Sequence, residues 1–305
     1  MGQPSTVRTG VLYGVAAYAL WGVFPLYFHL LERSDAAEVV FHRVVWSLLF
    51  CLVLVAALRQ REALGAVLAD RAIVATLGLA AVLLATNWGV YVHAVTSGQV
   101  IEASLGYFIN PLVTVALGVL VLREQLRPLQ WAAVATGALS VAVLTVDYGR
   151  PPFIALTLAA TFSVYSLLKK RVGGSVGALP GLTTETITLA PFALIAILWL
   201  EATGRGSFGA NAPWEGVLLV LTGIVTIAPL LLFAASTSRV PLSTVGLLQY
   251  LTPVMQLLCG VVILGEHMPA SRWAGFGIVW VALVLLTLDS IRATRTPAPT
   301  VPEPA

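Results

Sequence analysis

Residues 109–126, INPLVTVALGVLVLREQL, and residues 251–268, LTPVMQLLCGVVILGEHM, align without a gap when the chain is shifted by 142 positions. Pro111 falls on Pro253, Gly118 on Gly260, Leu122 on Leu264 and Glu124 on Glu266. The same shift sets Trp131 on Trp273 and Thr145 on Thr287. Apolar positions match by chance in any greasy chain, but proline, glutamate and tryptophan in one register point to a duplication.

Around this repeat the 305-residue chain is 58% apolar and only 10% charged, with a mean hydropathy of +0.92. Soluble domains average about 45–50% apolar and about 25% charged residues, so a water-soluble globule is excluded. Cys51 and Cys259 lie in apolar runs and imply no disulfide framework. The net charge of +3 is spread between apolar segments, a topology signal and not a nucleic-acid footprint.

Ten apolar segments are expected to span a bilayer, at 10–31, 37–58, 73–95, 100–122, 128–146, 152–168, 181–200, 214–236, 241–264 and 272–288. The first is too long for a signal peptide and reads as an uncleaved span. The Pro-rich stretch 296–305 reads as a disordered tail. The fold class predicted is therefore an all-α integral membrane protein. Its ten transmembrane helices form two five-helix repeats, 10–146 and 152–288. Five is odd, so the second repeat enters the membrane with opposite polarity, giving inverted topology. With the N-terminus inside, twelve of the seventeen Lys and Arg residues fall on the inner side, so both termini are expected in the cytoplasm.

Inverted repeats allow alternating access around a site near the midplane, often built from interrupted helices. Pro111 and Pro253 lie about 11–12 residues into their spans, ~16 Å deep at helical rise. They are the expected helix breaks, each freeing the carbonyl four residues earlier, on Tyr107 and Gln249. Asn110, Thr252, Tyr250 and Gln256 flank them, as a wet cavity requires. The plain alternative is a pair of kinks satisfied by packing.

Depth arithmetic adds Arg43, Asn87 and Tyr107 at one level, ~10 Å from the outer surface, with His42 and His93 close by. Glu102 lies slightly shallower, in reach of Arg43, and Tyr165, Gln249 and Glu185 sit at similar depth from the inner face. Intramembrane ionisable residues suggest function by default. Glu102 and Glu185 are the candidates for proton coupling, while a brace with Arg43 or a helix-start position suits Glu102 equally well. Trp21, Trp88 and Tyr91 offer rings for a substrate to stack on, or else simply pack.

The sequence Gly173-Gly174-Ser175-Val176-Gly177 matches a hydrolase elbow without its strand–turn–helix context. There is no phosphate-binding loop, and four scattered histidines give no metal spacing. No catalytic residue, metal or cofactor is expected. An intramembrane enzyme needs a nucleophile–base pair, for which only Ser104 and His93 lie at similar depth. A noncatalytic scaffold has no use for symmetric helix breaks.

YALWGVFPLYF (18–28), HRVVWSLLF (42–50), NWGVYVHAV (87–95) and IEASLGYFINPL (101–112) resemble the RarD family, the chloramphenicol-sensitivity group of the EamA branch of the drug/metabolite transporters. LRPLQW (126–131), WLEATGRGSF (199–208) and LSTVGLLQYLTP (242–253) extend the resemblance over residues 10–290. It implies ten helices in two inverted repeats, a bacterial inner-membrane location and a permease role. A small-molecule substrate and the lipid bilayer are the expected partners, a homodimer stays open, and no nucleic acid is expected. In such a permease Trp21, Arg43, Asn87, Tyr91, Tyr107, Asn110, Tyr165, Gln249 and Tyr250 are the substrate-binding candidates.

Overall fold

The computed structural model describes residues 4–122, 127–172, 175–208, 213–237, 239 and 248–295. Glu124, Gly173 and Gly174, residues 241–247 of the expected ninth span and the tail 296–305 lie outside the described residues. Within them the chain is helical and carries no strand. The helices are α1 (Pro4–Gly22), α2 (Phe24–His29), α3 (Ala36–Ala57), α4 (Arg61–Ala69), α5 (Arg71–Thr96) and α6 (Val100–Leu122). There follow α7 (Pro128–Tyr148), α8 (Phe153–Val172), α9 (Ala178–Ala202), α10 (Pro213–Thr237), α11 (Leu251–Leu258) and α12 (Ala270–Arg295). A π-helical turn, Cys259–Ile263, continues α11.

Among the described residues seven helices are long and apolar enough to cross a membrane, and three more, at Val100–Val113, Phe153–Lys169 and Leu251–Ile263, are apolar but shorter. Their apolar side chains point outward as well as inward. Phe192 is 73% exposed and Val262 71%, a surface that water disfavours and hydrocarbon does not. The chain is a multi-pass membrane protein.

Two departures from the sequence reading have local causes. The first expected span is not one helix: α1 stops at Gly22 and α2 restarts with Pro25 in its first turn. Pro25 has no N–H to give Trp21, and the orphaned Trp21 carbonyl takes the Gln256 side-chain amide instead, at 3.1 Å. The connection between the expected second and third spans, for which no element was expected, contains the helix α4, followed by Asp70, whose carboxylate caps α5 through Ala72 N (2.9 Å) and Ile73 N (3.1 Å).

The chain divides into two compact units, residues 1–114 with 153–268, and residues 115–152 with 269–305. In the first, α1 packs on α10 and α8 packs on α5, while α3 lies along both α9 and α10. Glycine also allows α6 to approach α8 closely. A Cβ on Gly106 would sit 2.8 Å from the Ala155 carbonyl oxygen of α8. Helix starts are capped from distant segments. Glu266 accepts from Val100 N (2.6 Å) and Ile101 N (2.9 Å) of α6, and Glu102 accepts from Ile154 N of α8 (3.0 Å).

The second unit holds α7 against α12. Asp147, at the end of α7, accepts from Arg272 Nε at the start of α12 (3.0 Å), and Arg127, at the start of α7, binds both oxygens of Asp289 near the end of α12 (2.9 Å from Nε). The two helices are therefore antiparallel, and the aspartates are equivalents under the 142-residue shift. The bond to Asp289 raises the Arg127 pKa above its ordinary value, so that guanidinium stays charged.

Candidate functional site

The chemistry concentrates in the first unit, where α3 carries Arg43 into the interior. Its side chain is 3% exposed and its Nε donates to Thr226 Oγ1 of α10 at 2.6 Å. The Thr226 hydroxyl is free to accept because its own proton goes to Thr222 O at 2.7 Å. Three rings surround the guanidinium: Trp88 at 4.1 Å from Cζ to the ring centroid, Phe28 at 5.3 Å and Phe24 at 5.6 Å. Among the described residues no carboxylate pairs with Arg43, and its Nη1 has no hydrogen-bond partner.

The rings continue. Phe28 meets Tyr91 edge-on (6.0 Å), Tyr91 meets Tyr107 (5.8 Å), Tyr107 meets Phe162 (6.4 Å) and Phe162 meets Tyr165 (5.7 Å). Tyr107 donates to Asn87 Oδ1 at 3.3 Å, while Asn87 Nδ2 donates to Leu158 O and Thr161 Oγ1 of α8, both at 3.0 Å. Asn87 is thus occupied at both ends. The Tyr91 hydroxyl, like Arg43 Nη1, is buried and unpaired. Tyr91 is 2% exposed, so the cage is sealed in this conformation.

At the far end of the row Tyr165 OH lies 3.5 Å from Glu185 Oε2, and Lys169 Nζ donates to Glu185 Oε1 at 2.6 Å. The two cations differ in company. Lys169 has a carboxylate; Arg43 has rings and a hydroxyl.

Arg43, Asn87 and Tyr107, expected at one level, do share a neighbourhood, which Tyr91 joins; Tyr165 meets Glu185 as their common level suggested, while no contact joins Gln249 to them among the described residues. Glu102 does not brace Arg43; its carboxylate caps α8. Asn110 accepts from Ser163 Oγ at 2.6 Å, tying α6 to α8. The expected break at Pro111 is absent, and α6 runs through it, since one missing N–H costs one bond and not the helix. Pro253 lies in the first turn of α11, just after a turn at Gln249 and Tyr250, both half-buried. Trp21 sits with Tyr18 (5.5 Å) and Phe233 (5.8 Å). Ser104 bonds its own helix at Ile101 O (2.8 Å) and His93 is exposed, so these two do not form a nucleophile–base pair.

Sequence reasoning missed Phe24, Phe28, Thr226 and Lys169. The spacing of Phe24 and Phe28 on either side of Pro25 was the available signal; nothing local marks Thr226.

The EamA-like transporter family matches the chain twice, over residues 8–146 and 151–288. Protein RarD of Streptomyces exfoliatus is 47% identical, across 94% of this chain and 91% of that protein. A protein of Pseudomonas aeruginosa named an uncharacterized transporter is 42% identical, across 95% of this chain and 97% of its own length. A crystal structure of another protein shares the fold with a TM-score of 0.63 at 18% identity, covering 93% of this chain and 99% of that one. With helices apolar enough to span a bilayer and an arginine buried among rings inside them, the chain belongs to the RarD group of the EamA-like transporter family.

Proposed function

We propose that the protein is a secondary or facilitative permease, moving a small polar or amphipathic metabolite across the bacterial inner membrane by alternating access. One observation carries this reading. Arg43 is a buried cation with no carboxylate partner among the described residues, and its buried Nη1 has no hydrogen bond. An uncompensated charge away from water costs several kcal/mol, and an arriving anionic group offsets that cost. Arg43 attracts such a group, Asn110 and Gln249 offer hydrogen bonds, Asn87 offers one only on exchanging a partner it already holds, Trp21 and Tyr91 offer rings, and Tyr107, Tyr165 and Tyr250 stack or gate. Glu185, paired with Lys169, is the better placed of the two carboxylates for proton coupling, since Glu102 is engaged as a cap.

The reading uses two inverted five-helix repeats, 10–146 and 152–288, with both termini in the cytoplasm. Reciprocal packing supports the inversion: α1 on α10 is matched by α8 on α5, and the antiparallel pair α7 and α12 joins the last helix of each repeat. The central path runs between spans one, three, four, six, eight and nine.

Purified protein in liposomes, screened with labelled amino acids, organic acids and chloramphenicol, tests the reading. Saturable flux that Arg43→Ala removes is the expected result. Folded protein that moves and binds none of these classes overturns it.

A further inference from the structure

The shift of 142 positions that aligns the two halves also sets Arg43 on Glu185 and Tyr27 on Lys169. Two charged centres of opposite sign therefore occupy equivalent places, on helices α3 and α9 that pack along one another. In the second half the pair is complete, since Lys169 Nζ donates to Glu185 Oε1 at 2.6 Å. In the first half it is only half made. Tyr27 stands at the place of the countercharge but carries none, and its hydroxyl donates to Leu218 O of α10 at 2.5 Å. Among the described residues no carboxylate replaces it: Glu102 caps α8 through Ile154 N, and Glu185 already holds Lys169.

The groups left over around Arg43 are donors. Its Nη1 and the Tyr91 hydroxyl are both buried without a hydrogen bond, and Tyr27, Tyr91 and Tyr107 all lie within electrostatic range of the guanidinium. Tyr107 and Tyr27 donate elsewhere, to Asn87 Oδ1 and Leu218 O, which leaves Tyr91 as the spare hydroxyl. The same shift sets Tyr91 on Phe233, Trp88 on Leu230 and Phe24 on Ser166. The spare hydroxyl and the rings thus belong to the half that lacks the countercharge. Two donors and one positive charge match the two oxygens and one negative charge of a carboxylate. The faces of Trp88, Phe24 and Phe28 beside them match an apolar body. An ammonium group on the same ligand would find no free carboxylate there and would meet the guanidinium, like charge against like.

We propose that the Arg43 cage is a binding site for a monocarboxylate with an apolar, ring-bearing body and no ammonium group. One carboxylate oxygen takes Arg43 Nη1 and the other takes the Tyr91 hydroxyl. The ligand completes in the first half the charge pair that Lys169 and Glu185 make in the second. That this ligand is also the cargo rests on the permease reading; the binding site itself does not.

Four probes that share one benzene ring test the site: phenylacetate, phenylacetamide, phenethylamine and phenylalanine, each measured by equilibrium dialysis at neutral pH against the full chain in lipid nanodiscs. Phenylacetate should bind saturably, and the other three more weakly by about 10-fold or more, the factor that one charge-assisted bond represents. Tyr91→Phe keeps the ring and removes only the spare donor, and should weaken phenylacetate about 3- to 10-fold. Tyr27→Glu supplies the missing countercharge from within, so phenylacetate binding should be lost while the thermal midpoint holds or rises. Should Tyr27→Glu fail to fold, the probe series and Tyr91→Phe carry the test. No saturable phenylacetate binding, equal binding of phenylacetate and phenylalanine, or binding that Tyr91→Phe and Arg43→Met leave intact overturns the proposal. Folded Tyr27→Glu protein that binds phenylacetate as wild type does overturns it too. The expected binding pattern without flux of any probe in liposomes upholds the site and overturns the permease reading alone.

Discussion

Arg43 and Lys169 are both cations in the interior of one helical unit, and the chain treats them in opposite ways. Lys169 reaches Glu185 at 2.6 Å with its side chain 30% exposed, so charge meets charge near the edge. Arg43 is deeper, and its guanidinium meets the faces of Trp88, Phe28 and Phe24 and one threonine oxygen. A ring face offsets a desolvated cation by about 2 kcal/mol, less than its burial costs. The paired cation is compensated by a full opposite charge, whereas the caged one is compensated only by ring faces and one hydroxyl.

The largest expected effect follows directly. Arg43→Met removes an uncompensated charge while filling similar volume. Flux should fall by about 100-fold or more, as two charge-assisted bonds to cargo are lost, while the thermal midpoint in detergent stays level or rises. If the midpoint falls steeply, Arg43 is a structural residue and the contrast with Lys169 disappears.

Glu185→Gln probes the other member. It strands the Lys169 ammonium beside a neutral amide, and stability should drop by about 1–3 kcal/mol, discounted for the partial exposure of the lysine. Lys169→Met in the same chain should restore most of the loss. Thermal unfolding of the two single variants and the double measures the coupling; additive losses would mean that the pair contributes nothing as a pair.

Trp88→Leu comes next. It removes the nearest ring from Arg43 and leaves the helix face apolar. Cargo affinity should weaken about 3- to 10-fold, corresponding to the ~1 kcal/mol of a cation–π contact, read as a higher half-saturation concentration in liposomes. An unchanged half-saturation value would assign the cage to Thr226 and the phenylalanines.

How much of this contrast could be read from the sequence depends on what depth along a helix determines. Counting residues from a span's end sets a level, and that was enough to gather Arg43, Asn87 and Tyr107, and separately Tyr165 and Glu185, though not the Gln249 set at their level. It does not set the direction around the helix axis or the neighbour met there. Hence Arg43 and Glu102, close in level, part company: the carboxylate turns to the amide at the start of α8 and the guanidinium to α10. Proline arithmetic worked in the same way. It correctly says which carbonyl is freed, as Trp21 ahead of Pro25 shows, but whether the helix then stops is decided by who takes that carbonyl. Gln256 takes it in α1, and α6 simply continues past Pro111. The composition, by contrast, identifies a membrane protein without any of this, because apolar side chains such as Phe192 and Val262 on the outside need no partner.

The smallest expected effect belongs to Tyr165→Phe, and its size separates two ways in which a ring can serve a cation. The hydroxyl stands 3.5 Å from Glu185 Oε2, at the outer limit of a hydrogen bond, while Lys169 Nζ lies 6.0 Å from the ring centroid. Glu185 already has Lys169, so losing a long, weak donor should cost no more than about 0.5 kcal/mol. The phenylalanine retains the face toward Lys169 and the packing on Phe162. A larger loss in thermal unfolding would mean that Tyr165 shares the charge of Glu185 with Lys169, making the pair a three-member network and bringing it closer in kind to the Arg43 cage.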